Sequence, residues 1–151
     1  MTDVKWAIDA GDAKLLRDLL AADRTRANAP IQWGRNDCIS THPLHYISDA
    51  IFEGVLDRTK AVPLVDALIE AGSDVNFHKP GDRETPLMGA ANRGSNAIIE
   101  FLVAQGARLD MKDSQGRTAY NWAQGEFLAT HAPVPKPESM ALIQKLSAVV
   151  K

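Results

Sequence analysis

Four side chains that can bind a metal lie within residues 38–78. Cys38, His42 and His45 have the spacing Cys-x3-His-x2-His, and His78 follows further along the chain. Thiolate and imidazole groups are the ligands that zinc prefers, so one hypothesis is a zinc site built from these residues. The spacing matches no standard zinc module, and a metal site needs ligand number and geometry together. We therefore expect no metal and no cofactor, with metal binding kept as the alternative.

The same segment also contains the groups of a thiol enzyme. Cys38 would be the nucleophile, His45 its base and Asp49 the group that orients the imidazole. We expect His45 to face inward, however, and the chain has no Gly-x-Ser-x-Gly, His-Glu-x-x-His or phosphate-binding glycine loop. Because no residues assemble the roles that a catalytic site requires, we expect no enzyme and no catalytic residues.

Composition narrows the class of protein. The chain has 151 residues, one Cys and a formal net charge of −2. The length suits one domain or a short repeat array, and a single Cys fits a reducing compartment. A nucleic-acid binder usually has a basic excess, and a membrane span needs about 20 apolar residues; the sequence has neither. We expect a cytoplasmic monomer whose partner is another protein, without nucleic acid or membrane.

The strongest pattern in the sequence is internal repetition. The segment 85–91, Thr-Pro-Leu-Met-Gly-Ala-Ala, recurs in altered form at 118–124, so that the two Thr lie 33 residues apart. Segment 42–48, His-Pro-Leu-His-Tyr-Ile-Ser, is another copy, and 6–8 matches the end of the motif. A second apolar motif follows each copy, beginning at Leu15, Leu64, Ile98 and Leu142. Two of these motifs lead into a glycine corner, at Gly72 and Gly106.

Each repeat has the signals of a helix pair. Thr85 followed by Pro86 predicts an N-cap and a first helical position, where the missing N–H of proline costs nothing. Gly94 predicts the end of that helix, and the apolar face at 98–103 predicts a second helix that ends near Gly106. One such pair cannot bury its apolar face alone, so it must pack on its neighbours.

A 33-residue period with a Thr-Pro-Leu-His-like start, an Ile-Val-x-x-Leu-Leu helix and a Gly-Ala-Asp-like corner resembles the ankyrin repeat. The resemblance implies an all-α solenoid of stacked helix-turn-helix units with short finger hairpin loops. A finger is the loop between the second helix of one repeat and the first helix of the next. We expect a single ankyrin-repeat domain over residues 1–151, with repeats at about 1–36, 37–79, 80–112 and 113–151.

Three insertions depart from the repeat pattern. The first finger has about six extra residues, at 29–36. The second repeat has about nine, at Ile51 to Thr59, where the apolar residues predict a lengthened first helix. The fourth has about eleven, at Phe127 to Pro137, and its three prolines predict a stiff crossing to a terminal helix over 138–150.

The aromatic residues divide into two groups. Trp6, Tyr46 and Trp122 share one motif position, which favours packing between repeats. Trp33 lies in the inserted finger, without a counterpart in the other repeats. It is either an anchor for a partner or a cover that folds back over the first repeat.

By resemblance to the family, the function is protein–protein interaction, as an adaptor or inhibitor of a partner protein. Binding would use the fingertips and the exposed side of each first helix, that is, the finger/concave face. The corresponding residues here are Cys38, Ile39, Thr41, Asp49, Glu84, Asn92, Arg93, Ser114, Gln115 and Arg117. The inserted finger adds Trp33 and Arg35.

Overall fold

The computed structural model describes residues 3–125 and 134–149. The helices within these ranges are α1 (Val4–Ala10), α2 (Ala13–Ala22), α3 (Pro43–Phe52), α4 (Ala61–Glu70), α5 (Pro86–Arg93), α6 (Asn96–Ala104), α7 (Ala119–Ala123) and α8 (Pro137–Val149). Two short strands, β1 (Ile31–Trp33) and β2 (Ile39–Thr41), form an antiparallel hairpin. The all-α repeat fold is confirmed, because the segments 64–69 and 98–103, where strands would have contradicted it, are helical.

The chain divides into two compact units, which we call the N-terminal half (Met1–Asp74) and the C-terminal half (Val75–Lys151). In the N-terminal half, α1 packs on α2 and α3, and α2 packs on α4. In the C-terminal half, α5 packs on α6 and α7, and α8 packs on α6 and α7. Each half has its own core; the largest fully buried side chains include Ile8, Leu16, Leu20, Ile47, Leu64 and Leu68 in the first, and Leu87, Met88, Ile99 and Leu102 in the second.

The predicted helix signals of the third repeat are confirmed. Thr85 caps α5, with its hydroxyl accepting a hydrogen bond from the backbone N–H of Met88 at 3.3 Å, and Pro86 is the first helical residue. Gly94 ends α5 in the left-handed conformation, with φ of 69°. Local sequence therefore determines where this helix begins and ends.

The first repeat begins one residue later than the motif alignment predicted. Asp3 caps α1, and its carboxylate accepts a hydrogen bond from the Trp6 backbone N–H at 2.8 Å. Trp6 therefore lies three residues after its cap, as Met88 does, whereas Tyr46 and Trp122 lie four residues after theirs. Tyr46 and Trp122 are buried as expected, but the prediction for Trp6 was wrong, since it is 53% exposed.

The insertion at Ile51 to Thr59 lengthens the first helix by only two residues, since α3 has 10 residues and α5 has 8, so the prediction of a helical insertion was wrong beyond Phe52. Helix α3 ends at Phe52, and Gly54 adopts φ of 77°, which a continuing helix cannot contain. The chain then turns, Leu56 is buried, and Asp57 caps a short 3₁₀ turn before α4. After Phe52 the insertion is a loop held by one buried leucine and one carboxylate cap. In the other insertion, residues 127–133 lie outside the described residues, and α8 begins one residue before the predicted start.

We expect Leu102→Ala to lower the free energy of unfolding by about 2–5 kcal/mol, because it removes buried apolar surface and leaves a cavity. Leu102 is 1% exposed in α6. Val55→Ala is the control, since Val55 is 51% exposed and its truncation should cost less than about 0.5 kcal/mol. Urea denaturation of the two variants checks the prediction, and equal stabilities would show that the α6 register is wrong.

Two loops of the C-terminal half have similar geometry but differ at one strained position. In the loops 79–84 and 113–117, the first backbone N–H donates to the last backbone carbonyl at 2.9 Å. Near the end of each loop one residue has positive φ: Gly116, with 75°, and Arg83, with 61°. A side chain in this conformation costs roughly 1–2 kcal/mol, which glycine avoids. The first loop therefore carries backbone strain that the second does not.

Arg83→Gly should consequently raise the free energy of unfolding by about 0.5–1 kcal/mol, since the relief of strain exceeds the added entropy of the unfolded chain. Gly116→Ala is the matched variant and should lower it. A Cβ at Gly116 would have no heavy atom within 4 Å, so only backbone conformation is tested. Thermal unfolding measures both, and a destabilising Arg83→Gly would show that the arginine side chain contributes more than its strain costs.

Candidate protein-interaction surface

Asparagine side chains hold the corners from which two fingers begin. The Asn28 amide donates to the Gly72 carbonyl at 2.9 Å, and its oxygen accepts from the Asp74 N–H at 2.9 Å. In the C-terminal half, the Asn76 amide donates to the Gly106 carbonyl at 3.2 Å and accepts from the Arg108 N–H at 2.9 Å. We call each such pair of bonds an asparagine clamp. Each clamp satisfies two backbone groups of a glycine corner that no helix satisfies.

The inserted finger of the first repeat is the hairpin of β1 and β2. The strands pair with Ile31 opposite Thr41 and Trp33 opposite Ile39. The Trp33 indole N–H donates to the Thr41 hydroxyl at 2.9 Å, and its ring meets the Tyr46 ring edge-on, with centroids 5.6 Å apart. Trp33 is therefore half-buried against α3 of the second repeat, so it covers that repeat and not the first repeat as the cover hypothesis had it.

The tip of this finger faces solvent. Between the strands, Gly34 has φ of 81° and a 3₁₀ turn follows at Arg35–Asp37. Asn36 and Asp37 also have positive φ, 58° and 52°, so the tip adopts a specific shape that few residues tolerate. Among the sequence-predicted contact residues, the tip exposes Arg35, Cys38 and Ile39. Thr41, in contrast, is only 2% exposed, so its side chain does not lie on the surface where the sequence placed it.

The structure gives His42 a local structural role. His42 caps α3, with Nδ1 accepting from the Leu44 N–H at 3.3 Å, and Nε2 lies 2.9 Å from the Asn28 side-chain oxygen. Both ring nitrogens are thus occupied, which leaves no lone pair for a metal. Within residues 3–125 and 134–149, no three His, Cys, Asp or Glu side chains are placed to hold a metal ion.

The residues of the thiol-enzyme hypothesis lie in different environments. Cys38 is exposed on the finger, whereas His45 is 3% exposed in α3, facing inward as predicted. Asp49 is half-buried further along the same helix. A nucleophile and its base need hydrogen-bond contact, whereas here the thiol is exposed on the finger and the imidazole is buried in α3.

Tyr46 joins α3 to α1 through a small polar cluster. Its hydroxyl donates to Asp9 at 2.6 Å, and Lys5 pairs with the same carboxylate at 2.7 Å. The Lys5 ammonium also lies 5.7 Å from the Tyr46 ring centroid. Burial, together with the hydrogen bond to Asp9, raises the pKa of Tyr46 well above its usual range, so the phenol remains a donor. The cluster holds the ring on which Trp33 packs.

A buried carboxylate organises the finger at 112–117. Asp113 accepts hydrogen bonds from the Gln115 N–H at 2.8 Å, the Arg117 N–H at 2.9 Å, the Arg117 Nε at 2.8 Å and the Trp122 indole at 2.9 Å. Burial alone raises the pKa of Asp113, but the hydrogen bonds from Arg117, Gln115 and Trp122 outweigh it and hold that pKa below its ordinary value of 3.8. Arg117 also lies over the Trp122 ring, 5.6 Å from its centroid.

Arg117 is therefore engaged within the molecule, although sequence reasoning treated it as a contact residue. Ser114 and Gln115 are exposed at the tip, and the Ser114 N–H donates to the Asp82 carbonyl of the finger before it at 2.8 Å. The remaining predicted residues of the C-terminal half are half-buried around α5: Glu84, Asn92 and Arg93.

Sequence reasoning missed the three polar side chains that shape the fingers, Asn28, Asn76 and Asp113. The signal for the clamps was weak: Asn76 follows Gly72 by four residues, but Asn28 follows Arg24 at that spacing, and Asp110, which follows Gly106, pairs with Arg108 instead. For Asp113 the signal was weaker, since its partners Arg117 and Trp122 are known only once the finger is folded.

Comparison with known proteins agrees with the repeat pattern. The family model described as ankyrin repeats (3 copies) matches residues 55–129. Together with the helix pairs, glycine corners and fingers described above, this match shows that the chain is an ankyrin-repeat protein. Ankyrin repeats generally mediate protein–protein interaction and are typically non-catalytic. Within the described ranges, no helix is long and apolar enough to cross a membrane.

Two curated proteins are similar to part of the chain. It is 40% identical over 62 residues to the inactive serine/threonine-protein kinase TEX14 of Mus musculus, and 38% identical over 60 residues to the protein of the same name from Bos taurus. These segments cover 41% and 40% of this chain and 4% of each relative. The chain thus matches only a small segment of these relatives.

Asp113→Asn should lower the free energy of unfolding at pH 7 by about 2–3 kcal/mol, because four donors lose a charged acceptor in a buried site. The folded pKa is depressed, so the carboxylate stabilises the fold fully above about pH 4 and loses this effect as pH falls through the folded pKa. The difference between variant and parent should therefore shrink as pH falls below about 4.

Urea denaturation across this pH range makes the measurement. Asp110→Asn is the control, since the Asp110 side chain is 72% exposed and pairs only with Arg108 among the ion pairs described. A destabilisation by Asp113→Asn that is equal at pH 7 and pH 2 would show that ionisation of Asp113 is not what stabilises the finger.

Proposed function

We propose that this chain binds a partner protein through its fingers and the exposed side of its first helices, as an adaptor or an inhibitor. One observation carries the proposal. The inserted finger at 29–41 is fixed at its base and along Trp33, yet its tip exposes Arg35, Cys38 and Ile39. Packing of the helices does not require this tip, because the equivalent position in the third repeat is a shorter loop at 79–84.

The tip has the physical properties of a binding element. Its backbone is held by hydrogen bonds from the Asp37 N–H to the Gly34 carbonyl at 3.1 Å and from the Cys38 N–H to the Arg35 carbonyl at 3.4 Å, which reduces the conformational freedom to be lost on association. Arg35 is exposed and of a residue type enriched where interfaces carry most of their binding energy, and Ile39 is 38% exposed. Trp33 supports this surface from beneath: it positions the finger, and Arg35 and Ile39 make the contact.

The other members of the surface are assigned by the same reasoning. Ser114 and Gln115 are exposed on a finger held by Asp113. Asp49, Glu84, Asn92 and Arg93 are half-buried, and we propose that they contribute polar contacts at the edge of the interface. We further propose that the chain has no catalytic role. An exposed free thiol at Cys38 fits a reducing compartment, and the proposed location is the cytoplasm.

The test begins with capture of the partner from a lysate of the source organism and its identification by mass spectrometry. The affinity of the purified partner is then measured by calorimetry for the parent and for the double variant Arg35→Ala/Ile39→Ala. We expect this tip variant to bind at least about tenfold more weakly, with an unchanged melting temperature, because both side chains are exposed. Lys14→Ala on α2 is the control, since Lys14 is 88% exposed and lies on a different element.

The variant Trp33→Ala distinguishes two roles of Trp33: positioning the inserted finger, and direct contact with the partner. If Trp33 positions the finger, the variant should be less stable by about 1–3 kcal/mol, and Trp33→Phe should recover part of this loss because a ring still meets Tyr46. If Trp33 is instead the anchor, affinity should fall while stability stays constant. A tip variant that binds as tightly as the parent would contradict the finger proposal.

A further inference from the structure

One hydrogen bond closes the base of the inserted finger. Asn28 precedes β1 and His42 follows β2, and His42 Nε2 lies 2.9 Å from the Asn28 side-chain oxygen. The same oxygen accepts from the Asp74 N–H in the asparagine clamp. His42 is 5% exposed and Asn28 is exposed, so the bond is buried on the His42 side only. The two ends of the finger and the corner at 72–74 therefore meet at one side-chain oxygen.

The geometry requires a single protonation state of His42. Because the Asn28 oxygen is an acceptor for Asp74, the facing nitrogen Nε2 must carry the hydrogen. The other nitrogen, Nδ1, accepts from the Leu44 N–H at 3.3 Å and must carry none. Only the neutral ring with hydrogen on Nε2 satisfies both contacts.

We propose that His42 is an acid-sensitive clasp, and that its protonation releases the base of the inserted finger from the corner at 72–74 while the helices remain folded. A proton on Nδ1 would point at the Leu44 N–H, so the cap of α3 is lost. To relieve this contact the ring must turn, which carries Nε2 away from Asn28. Release of Asn28 from His42 then loosens the asparagine clamp that holds the Asp74 N–H.

Two titratable groups, His45 and Asp74, affect the pKa of His42. The His45 ring, on the same helix, meets the His42 ring edge-on at a centroid distance of 5.9 Å. Asp74, from the corner after α4, favours the charged form of His42, whereas His45 opposes it. Burial, followed by His45, lowers the pKa of His42 from 6.5 to about 4. The closed clasp is therefore fully favoured above pH 6.5 and loses this advantage as pH falls towards 4.

The C-terminal half also has a helix cap and an asparagine clamp at the two ends of a finger, but neither includes a histidine. Thr85 stands at the cap position, and its hydroxyl accepts from the Met88 N–H at 3.3 Å. The Arg108 N–H donates to Asn76, as the Asp74 N–H donates to Asn28. A hydroxyl does not titrate between pH 4 and pH 7, so acid should leave these bonds intact. The amides of Met88 and Arg108 are thus internal controls for those of Leu44 and Asp74.

Amide hydrogen exchange followed by NMR tests the clasp on the whole chain. After correction for intrinsic exchange, we expect the protection factors of Leu44 and Asp74 to fall more than about tenfold between pH 6.5 and pH 4.5. Those of Met88 and Arg108 should stay constant. The imidazole signal of His42 should titrate with a midpoint near pH 4, whereas protection should begin to fall already below pH 6.5.

The variant His42→Thr keeps a cap acceptor but removes the titrating group, and it should abolish the loss of protection at Leu44. Persistence of the acid response in this variant would overturn the proposal. An equal fall in protection at all four amides would also overturn it, since that is global unfolding. If His42→Thr does not fold, the parent decides: titration of His42 near pH 6.5 with Leu44 still protected contradicts the clasp.

Discussion

A side-chain amide that both donates and accepts is the contact from which the fingers are built. Each glycine corner leaves a carbonyl and an N–H outside any helix, and one asparagine satisfies both at once. Asp110, four residues after Gly106, is chemically unable to do the same, because a carboxylate cannot donate; it pairs with Arg108 instead. In the part of the chain that the structure describes, the amides of Asn28 and Asn76 hold the corners at 72–74 and 106–108.

Above the clamps, an aromatic residue at one repeat position supports the finger in two chemically different ways. Tyr46 presents its ring to Trp33, so the inserted finger rests on an aromatic pair. Trp122 donates to the buried Asp113, so the last described finger is tied by a charged acceptor. The third repeat has Gly89 at this position, and its finger is held by backbone hydrogen bonds within the loop. Finger shape therefore depends on what stands at this position in the helix that follows.

Features governed by neighbouring residues could be predicted from the sequence, and those governed by distant contacts could not. The cap at Thr85, the stop at Gly94 and the burial of Leu102 follow from local patterns, and all three are as predicted. The burial of Trp6 was predicted wrongly because the motif does not mark Asp3 as the cap of α1.

The orientation of Trp33 depends on Thr41 and Tyr46. The end of α3 at Phe52 depends on Gly54, which stops a helix that the apolar residues of the insertion would favour.

The hydrogen bond between the Ser114 N–H and the Asp82 carbonyl has a consequence for which residues of this protein can vary in sequence. Two neighbouring fingers are joined there through backbone atoms alone, and every residue type except proline can supply the N–H. The side chains of Ser114 and Gln115 are exposed and take no part in this backbone hydrogen bond. Natural variation, or a combinatorial library made at these positions, can therefore change the side chains of the tip without changing the spacing of the two fingers.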